Sequence, residues 1–382
     1  MEIRKIKSSI KQIDKIYHVS DIHIRTLKRH KEYKTVFKNL FEYINTNATE
    51  NSVAVVTGDI VHSKLDMSPE LIQMLIEFFK GFTIPTIVIL GNHDMNLNNL
   101  YRLDAISPIL DGFVDSNIIF IKDNEVFEYG GITWNHMAVD IAPNEYIRGT
   151  DIDAPYKIAL HHGAVDTATT DIGYTISNKH VTTENFEGHD LVLLGDIHKP
   201  AQFLNDKKTI GYPGSLIQQN HGEALEHGIL VWDVKKKASE FVKIENDYGY
   251  VTLITKGNKI IEHPKKMPKK PRIRIKFDNT DASDMKRLIA TIKKRYNVQD
   301  ISIQRSINNS INNVNANSVI GNIRDVEYQN TLLTDYVSTN FPQATEAEID
   351  AIRHINRNTN SKLPVLESVR HVTWKPLTFE FD

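Results

Sequence analysis

The sequence contains no cysteine, which excludes a disulfide framework and thiolate zinc sites. An excess of one charge is also missing. Lys and Arg number 46 against 48 Asp and Glu, so net charge alone announces no polyanionic partner. No apolar run is long enough to cross a bilayer, and the opening MEIRKIKSSIKQ lacks the apolar core of a signal peptide. Together these absences predict an intracellular, cytoplasmic protein with no membrane partner. Internal repeats are absent too. A hydrophobic content of 40% can fill a sizeable core, and 382 residues exceed the ~100–200 usual for one domain, so two or three domains are expected.

Short apolar runs alternate with helical patterns at the start. Lys15 to Val19, Val53 to Thr57 and Thr86 to Leu90 read as strands, with helices over Tyr33 to Ile44 and Pro69 to Phe79 between them. This alternation predicts a mainly parallel, buried sheet. Strands dominate from about Ile118 to Thr255, which predicts an α/β (α+β) sandwich of two sheets with helices outside. Three prolines and a run of lysines at Lys256 to Pro271 predict a linker. A strand–helix–strand unit follows (Arg272–Phe277, Asp281–Tyr296, Asp300–Gln304), then an Asn/Ser-rich loop over Ile307–Asn322. Two helices, Val326–Thr339 and Glu346–Asn358, come next, the second opened by a Thr345/Glu348 capping box, and the chain closes on a strand from Thr373 to Asp382. The expected domains are 1–255, 256–324 and 325–382.

Five motifs carry the chemistry: Asp21-Ile22-His23, Gly58-Asp59-Ile60-Val61-His62, Gly91-Asn92-His93-Asp94, His161-His162-Gly163 and Gly195-Asp196-Ile197-His198. Each follows an apolar run that reads as a strand, and ligands at the carboxyl ends of neighbouring strands converge on one crevice. Carboxylate, imidazole and amide oxygens suit divalent ions such as manganese, and two such ions can clamp both oxygens of a phosphodiester displacement.

This ordered set resembles the calcineurin-like metallophosphoesterases, whose pattern runs DxH, GDxx, GNHD, H, GHxH. The resemblance implies a four-layer α-β-β-α core. It also implies that Asp21, His23, Asp59 and His198 hold one metal, with Asp59 bridging. Asn92, His161 (with His162 the alternative) and the residue at 196 would hold the second. His93 would be the general acid for the leaving oxygen, with Asp94 orienting its ring. The sequence departs at one place, because Asp196 stands where the family usually has histidine.

His62 after the metal aspartate, His161-His162-Gly163 and the later Tyr212-Pro213-Gly214-Ser215 are similar to the SbcD-type nuclease subunit of the SbcCD double-strand-break repair complex. That resemblance implies a manganese- or magnesium-dependent DNA nuclease, a homodimer, with His62 near the DNA strand. It also implies that the second domain caps the metals and that the C-terminal helices hold an SbcC-like coiled-coil ATPase. Leu332, Leu333, Tyr336 and Val337 form one candidate apolar face for that partner, and Ile349, Ile352 and Ile355 another. Independently, Lys256, Lys259, Lys265, Lys266, Lys269, Lys270, Arg272, Arg274 and Lys276 are opposed in their stretch only by Glu262. Lys265, Lys266, Lys269, Lys270, Arg272 and Arg274 are thus candidate DNA contacts, since phosphate neutralisation supplies most non-specific affinity. The other readings are a phosphodiesterase or phosphatase acting on small nucleotides or phosphoproteins, and a non-catalytic DNA-end-binding scaffold.

Overall fold

The computed structural model describes residues 3–113, 117–257, 259–278, 280–305, 326–341 and 343–361. Two compact units divide the chain, residues 1–306 and 307–382, and each is described by itself.

The first unit is built on two stacked sheets. One has six strands in the order β13 (Ala238–Lys243), β12 (Gly228–Asp233), β2 (Lys15–Val19), β3 (Ser52–Thr57), β4 (Thr86–Ile89) and β5 (Ile118–Phe120), with β2 to β5 parallel. The other has seven: β1 (Arg4–Lys5), β6 (Glu125–Tyr129), β7 (Ile132–Met137), β8 (Lys157–His162), β9 (Leu191–Gly195), β11 (Ile210–Tyr212) and β10 (Gln202–Phe203).

Side chains alternate across a strand, and this divides the core into layers. Val53 and Val55 face Trp134, Leu160 and Leu193 between the sheets. Ala54 and Val56 face the opposite way, onto helices α1 (His30–Asn47) and α2 (Pro69–Lys80). In α1 the buried Tyr33, Val36, Phe37, Leu40 and Ile44 recur at helical spacing. The N-terminus of α2 is capped by Ser68, whose side chain accepts from Leu71 N–H, with Pro69 in the first turn. The expected sandwich is present, and the outer face of the seven-stranded sheet is covered as well. Val165, Ala168, Val181 and Phe186 pack there from loops and short 3-10 turns.

The expected linker is not one. Within it lies β15 (Lys259–Glu262), paired antiparallel with β14 (Tyr248–Lys256), while β16 (Lys270–Asp278) and β17 (Asp300–Arg305) add in parallel. The lysines and prolines masked a strand whose burial is slight. This four-stranded sheet begins at Tyr248, inside the stretch assigned to the first domain. Helix α4 (Ala282–Arg295) covers it through Met285, Leu288 and Ile292, with Asp281 as N-cap. A shorter helix, α3 (Ser107–Leu110), precedes β5.

In the second unit α5 (Val326–Asn340) packs on α6 (Glu346–Ser361), which the Thr345/Glu348 capping box opens. Val337 and Ile349 are buried, whereas Leu332 and Tyr336 are exposed, so the face proposed on α5 is split. The loop at 307–322, the strand at 373–382 and the side chain at position 355 lie outside the described residues. Among the described residues no helix is long and apolar enough to cross a membrane.

Candidate metal centre

All five motifs sit where strands end: Asp21 after β2, Asp59 after β3, Asn92 and His93 after β4, the two histidines at the end of β8, and Asp196 after β9. The segments after β2 and β3 run side by side, with Asp21 N–H donating to Gly58 O at 3.2 Å and His23 N–H to Asp59 O at 2.9 Å. Asp21, His23, Asp59 and Asp196 all have positive φ, 51°, 50°, 52° and 101°. Such conformations cost of order 1–3 kcal/mol each and persist where the surroundings over-determine them. Here the four bends bring their side chains onto one point. Gly91 is required for that approach, because a Cβ there would overlap the Asp59 carboxylate.

Asp59 is the hub. Its Oδ2 lies 3.5 Å from His23 Nε2, and its Oδ1 lies 3.3 Å from His162 Nε2 and accepts from His93 N–H at 2.8 Å. One oxygen therefore faces each half of the cluster. On the first half, His23 Nε2 and His198 Nε2 are 3.0 Å apart, and Asp21 Oδ1 is 3.9 and 3.8 Å from them. On the second, Asp196 Oδ1 is 3.9 Å from His162 Nε2. Asp21, His23 and His198 converge within 4.8 Å, as do Asp21, Asp59 and His162.

The residues present fit a pair of divalent ions. Three carboxylates stand together, with Asp21 and Asp59 almost wholly buried, and uncompensated buried charge is costly. Asn92 Oδ1 and His162 Nε2 are buried without a hydrogen-bond partner. Burial raises the Asp21 carboxyl to about 6, against the pull of His162 and His198. The His162 imidazole is held well above its ordinary range despite burial, by Asp59, Asp21 and Asp196. Protons there do what bound cations would do better.

Residues 14–200 match the model of the calcineurin-like phosphoesterase family. That segment is a calcineurin-like metallophosphoesterase domain. The family implies a metal-dependent hydrolase of phosphoester bonds. Over 315 residues the chain is 40% identical to an uncharacterized protein of Acanthamoeba polyphaga mimivirus, covering 79% of this chain but 23% of that relative's length. Over 203 residues it is 25% identical to a probable cyclic nucleotide phosphodiesterase of Xenorhabdus bovienii, covering 48% of this chain and 77% of the relative.

The geometry departs from three expectations. His162, not His161, faces Asp59: neighbouring residues of β8 point to opposite faces, and His161 packs instead beside Tyr146 and Phe186, its Nδ1 bonded to Met137 O at 2.9 Å. Asp94 does not orient His93. Its buried carboxylate accepts from the backbone N–H groups of Ile60, Val61 and Gly91, each at 2.9 Å, stitching two motif loops together. The His93 ring is held instead by His62 O, 2.7 Å from Nδ1. Third, Arg272 is not a free phosphate contact, because it is buried and paired with Glu32 at 2.7 Å. Lys265 and Lys266 are exposed, Lys270 and Arg274 half-buried, and Lys269 pairs with Asp247 at 2.8 Å.

Two partners escaped the sequence reading. Arg25 Nη1 donates to His62 Nε2 at 3.0 Å, which places the His62 proton on Nδ1. Burial and the Arg25 charge lower His62 to about 4, so it stays neutral. Glu223 accepts from His198 Nδ1 at 2.9 Å. No spacing rule pointed to either; a carboxylate 25 residues beyond His198 meets it only through the fold.

Proposed function

We propose that this chain is a two-metal DNA nuclease of the SbcD type. It would hydrolyse phosphodiester bonds in DNA repair, recombination or replication, as a homodimer with an SbcC-like coiled-coil ATPase. Manganese is the proposed ion and magnesium the alternative. Asp21, His23, Asp59 and His198 would hold one ion, and Asp59, Asn92, His162 and Asp196 the other.

The observation that carries the polymeric substrate is a cleft of about 850 Å³ lined by Arg25, Lys28, Arg29, Lys31, Tyr250 and Arg272. Arg25 belongs both to this cleft and to the metal centre, through His62. Arg29 and Arg272 are engaged by the buried Glu32, which leaves Arg25, Lys28 and Lys31 against one acidic residue, Asp300, a balance that suits a phosphate backbone extending beyond the scissile bond. The exposed Lys265 and Lys266 add positive charge on the segment between β15 and β16. For the ATPase partner, the exposed Leu332, Tyr336 and Phe341 of the second unit supply the apolar contact.

When bound, the two ions supply Lewis-acid polarisation of the phosphoryl group and acidify water. The chain does the rest. Asp59 keeps the two halves of the centre in register. His93, its Nδ1–H donating to His62 O, would give the Nε2 proton of its imidazolium form to the leaving oxygen and regain one from solvent. His62, neutral beside Arg25, would act near the strand by holding Arg25 through Nε2 and the His93 ring through its carbonyl.

A second reading, hydrolysis of a cyclic nucleotide, is favoured by the name of the Xenorhabdus relative. Incubation with linear duplex DNA, a 3′,5′-cyclic nucleotide and an aryl phosphodiester, each in manganese and in magnesium, decides between them. Metal-dependent loss of DNA supports the nuclease; turnover of the cyclic nucleotide with intact DNA replaces it with the second reading.

A further inference from the structure

The segment Leu216–His227 forms a strap between β11 and β12, and its contacts reach from the metal centre to the C-terminal sheet. At one end is Glu223, whose side chain is 7% exposed. Its Oε1 accepts from His198 Nδ1 at 2.9 Å and from Asn220 Nδ2 at 2.7 Å, and its Oε2 from Gln219 N–H at 2.5 Å. An imidazole whose Nδ1–H is held by a carboxylate must turn its Nε2 lone pair the other way. For His198 that direction is the cluster of His23 and Asp21. His162 has only a neutral carbonyl behind it, Thr57 O at 2.7 Å. Among the described residues of the centre, His198 is thus the histidine backed by a carboxylate.

At the other end is Gln218. Its Oε1 accepts from Tyr250 N–H at 2.6 Å, and its Nε2 donates to Tyr250 O at 3.1 Å. The side chain thereby pairs with both backbone groups of one β14 residue, as a neighbouring strand would. The same Nε2 donates to Glu223 O at 2.9 Å. Arg29 Nη2 fixes the strap from the other side, donating to Gln218 O at 2.6 Å. Two side chains therefore span the distance from a metal-facing histidine to the four-stranded sheet.

We propose that Glu223 is a positioning residue that fixes His198 for metal binding, and that Gln218 ties this fixation to the register of β14. Occupancy of the first metal site and docking of the C-terminal sheet are then coupled, and coupling between sites is reciprocal. The inference rests on the metal centre alone and is independent of which phosphoester is cleaved.

Calorimetric manganese titration of the whole chain tests the first half. Glu223→Gln keeps the shape of the side chain and removes its charge. It should weaken one of the two ions about 10–100-fold, the usual effect of losing such a partner, while the other ion binds as before. Glu223→Asp, which retains the charge but withdraws it from His198, should weaken the same ion and serves where the glutamine variant does not fold. Binding of both ions with unchanged affinity in either folded variant overturns the positioning role. Amide hydrogen exchange tests the second half. Manganese should slow exchange of the Tyr250 N–H in the wild-type protein, and Gln218→Ala should abolish that protection and weaken the same ion several-fold. Tyr250 exchange that is indifferent to manganese in the wild type overturns the tie to the sheet. No arm uses DNA, so its failure leaves the nuclease reading standing and the reverse.

Discussion

Glu32 offers the sharpest stability test, because it is a single buried carboxylate on which two segments converge. It lies in the first turn of α1 and is 1% exposed. Arg29 donates to it through Nε and Nη2, both at 2.9 Å, Asn246 Nδ2 at 2.9 Å, and Arg272 Nη2 at 2.7 Å from β16. Removing the acceptor strands two guanidinium groups whose side chains are only 4% and 11% exposed. Breaking a buried pair in this way costs about 3–5 kcal/mol. Arg29 keeps Gln218 O, and Arg272 keeps the faces of Tyr248 and Tyr250 at 5.4 and 5.1 Å, so the lower end, about 3 kcal/mol, is expected for Glu32→Ala. Urea unfolding in metal-free buffer measures it. A loss below about 1 kcal/mol, the scale of an exposed pair, would refute this account of Glu32.

The same residue predicts a pH dependence. Burial alone would raise the Glu32 carboxyl, but the hydrogen bond and charge of Arg29, then Arg272 and Asn246, hold it below its ordinary value. A depressed carboxyl contributes stability that is complete above the unfolded pKa, about 4.3, and lost as pH falls through the folded one. The gap between wild type and Glu32→Ala should therefore be full at neutral pH and narrow in acid below about 4.

His162→Ala should strip one ion from the protein while His161→Ala leaves both; metal content by mass spectrometry reads this, and the opposite result restores the ligand to position 161. His93→Asn should cut turnover by about 10²–10⁴-fold, the usual share of a general acid, with metal content unchanged, whereas loss of metal would make His93 a ligand. Replacing Lys265, Lys266 and Lys269 with alanine should weaken duplex binding and reduce its salt dependence; an unchanged salt slope removes this segment from the DNA interface. Asp196→His should keep a loaded centre while raising turnover of an aryl phosphomonoester relative to the diester. An unchanged ratio would mean that the charge at 196 does not reach the substrate.

The clustering of the five motifs was legible in the sequence because their residues are contiguous and tied to strand ends, and apolar strands such as Val53–Thr57 are hard to misread. Where two candidates were adjacent, as at His161 and His162, the facing direction depended on the phase of β8, which a motif does not state. Asp94 misled for a related reason: adjacency to His93 suggested a side-chain partner, but the turn aims its carboxylate at backbone donors three and more residues away. The strand at Lys259–Glu262 was hidden because one exposed edge strand needs little apolar content. Glu32, Arg25 and Glu223 act only through contacts between distant segments. No local pattern encodes such contacts.

Asp196 bears on the proposed phosphodiester substrate. Position 196 is half-way between ligand and substrate surroundings, since its side chain is 23% exposed while its backbone N–H is held by Asp21 at 3.1 Å. With Asp21 and Asp59 it brings three negative charges to a space built for two divalent ions. Loaded, the cluster would carry about one net positive charge, which one ionised diester oxygen neutralises. A histidine at 196, the usual family residue, would leave about two, closer to the charge of a phosphomonoester dianion. Charges this close interact strongly, so a difference of one unit at 196 should shift the balance between monoester and diester turnover. As a ligand, the same aspartate would make the second half of the centre richer in oxygen, which would favour manganese or magnesium over zinc. If Asp196 holds an ion as proposed, a single departure from the family pattern would bear on both substrate charge and ion preference, in the direction of the proposed diester substrate.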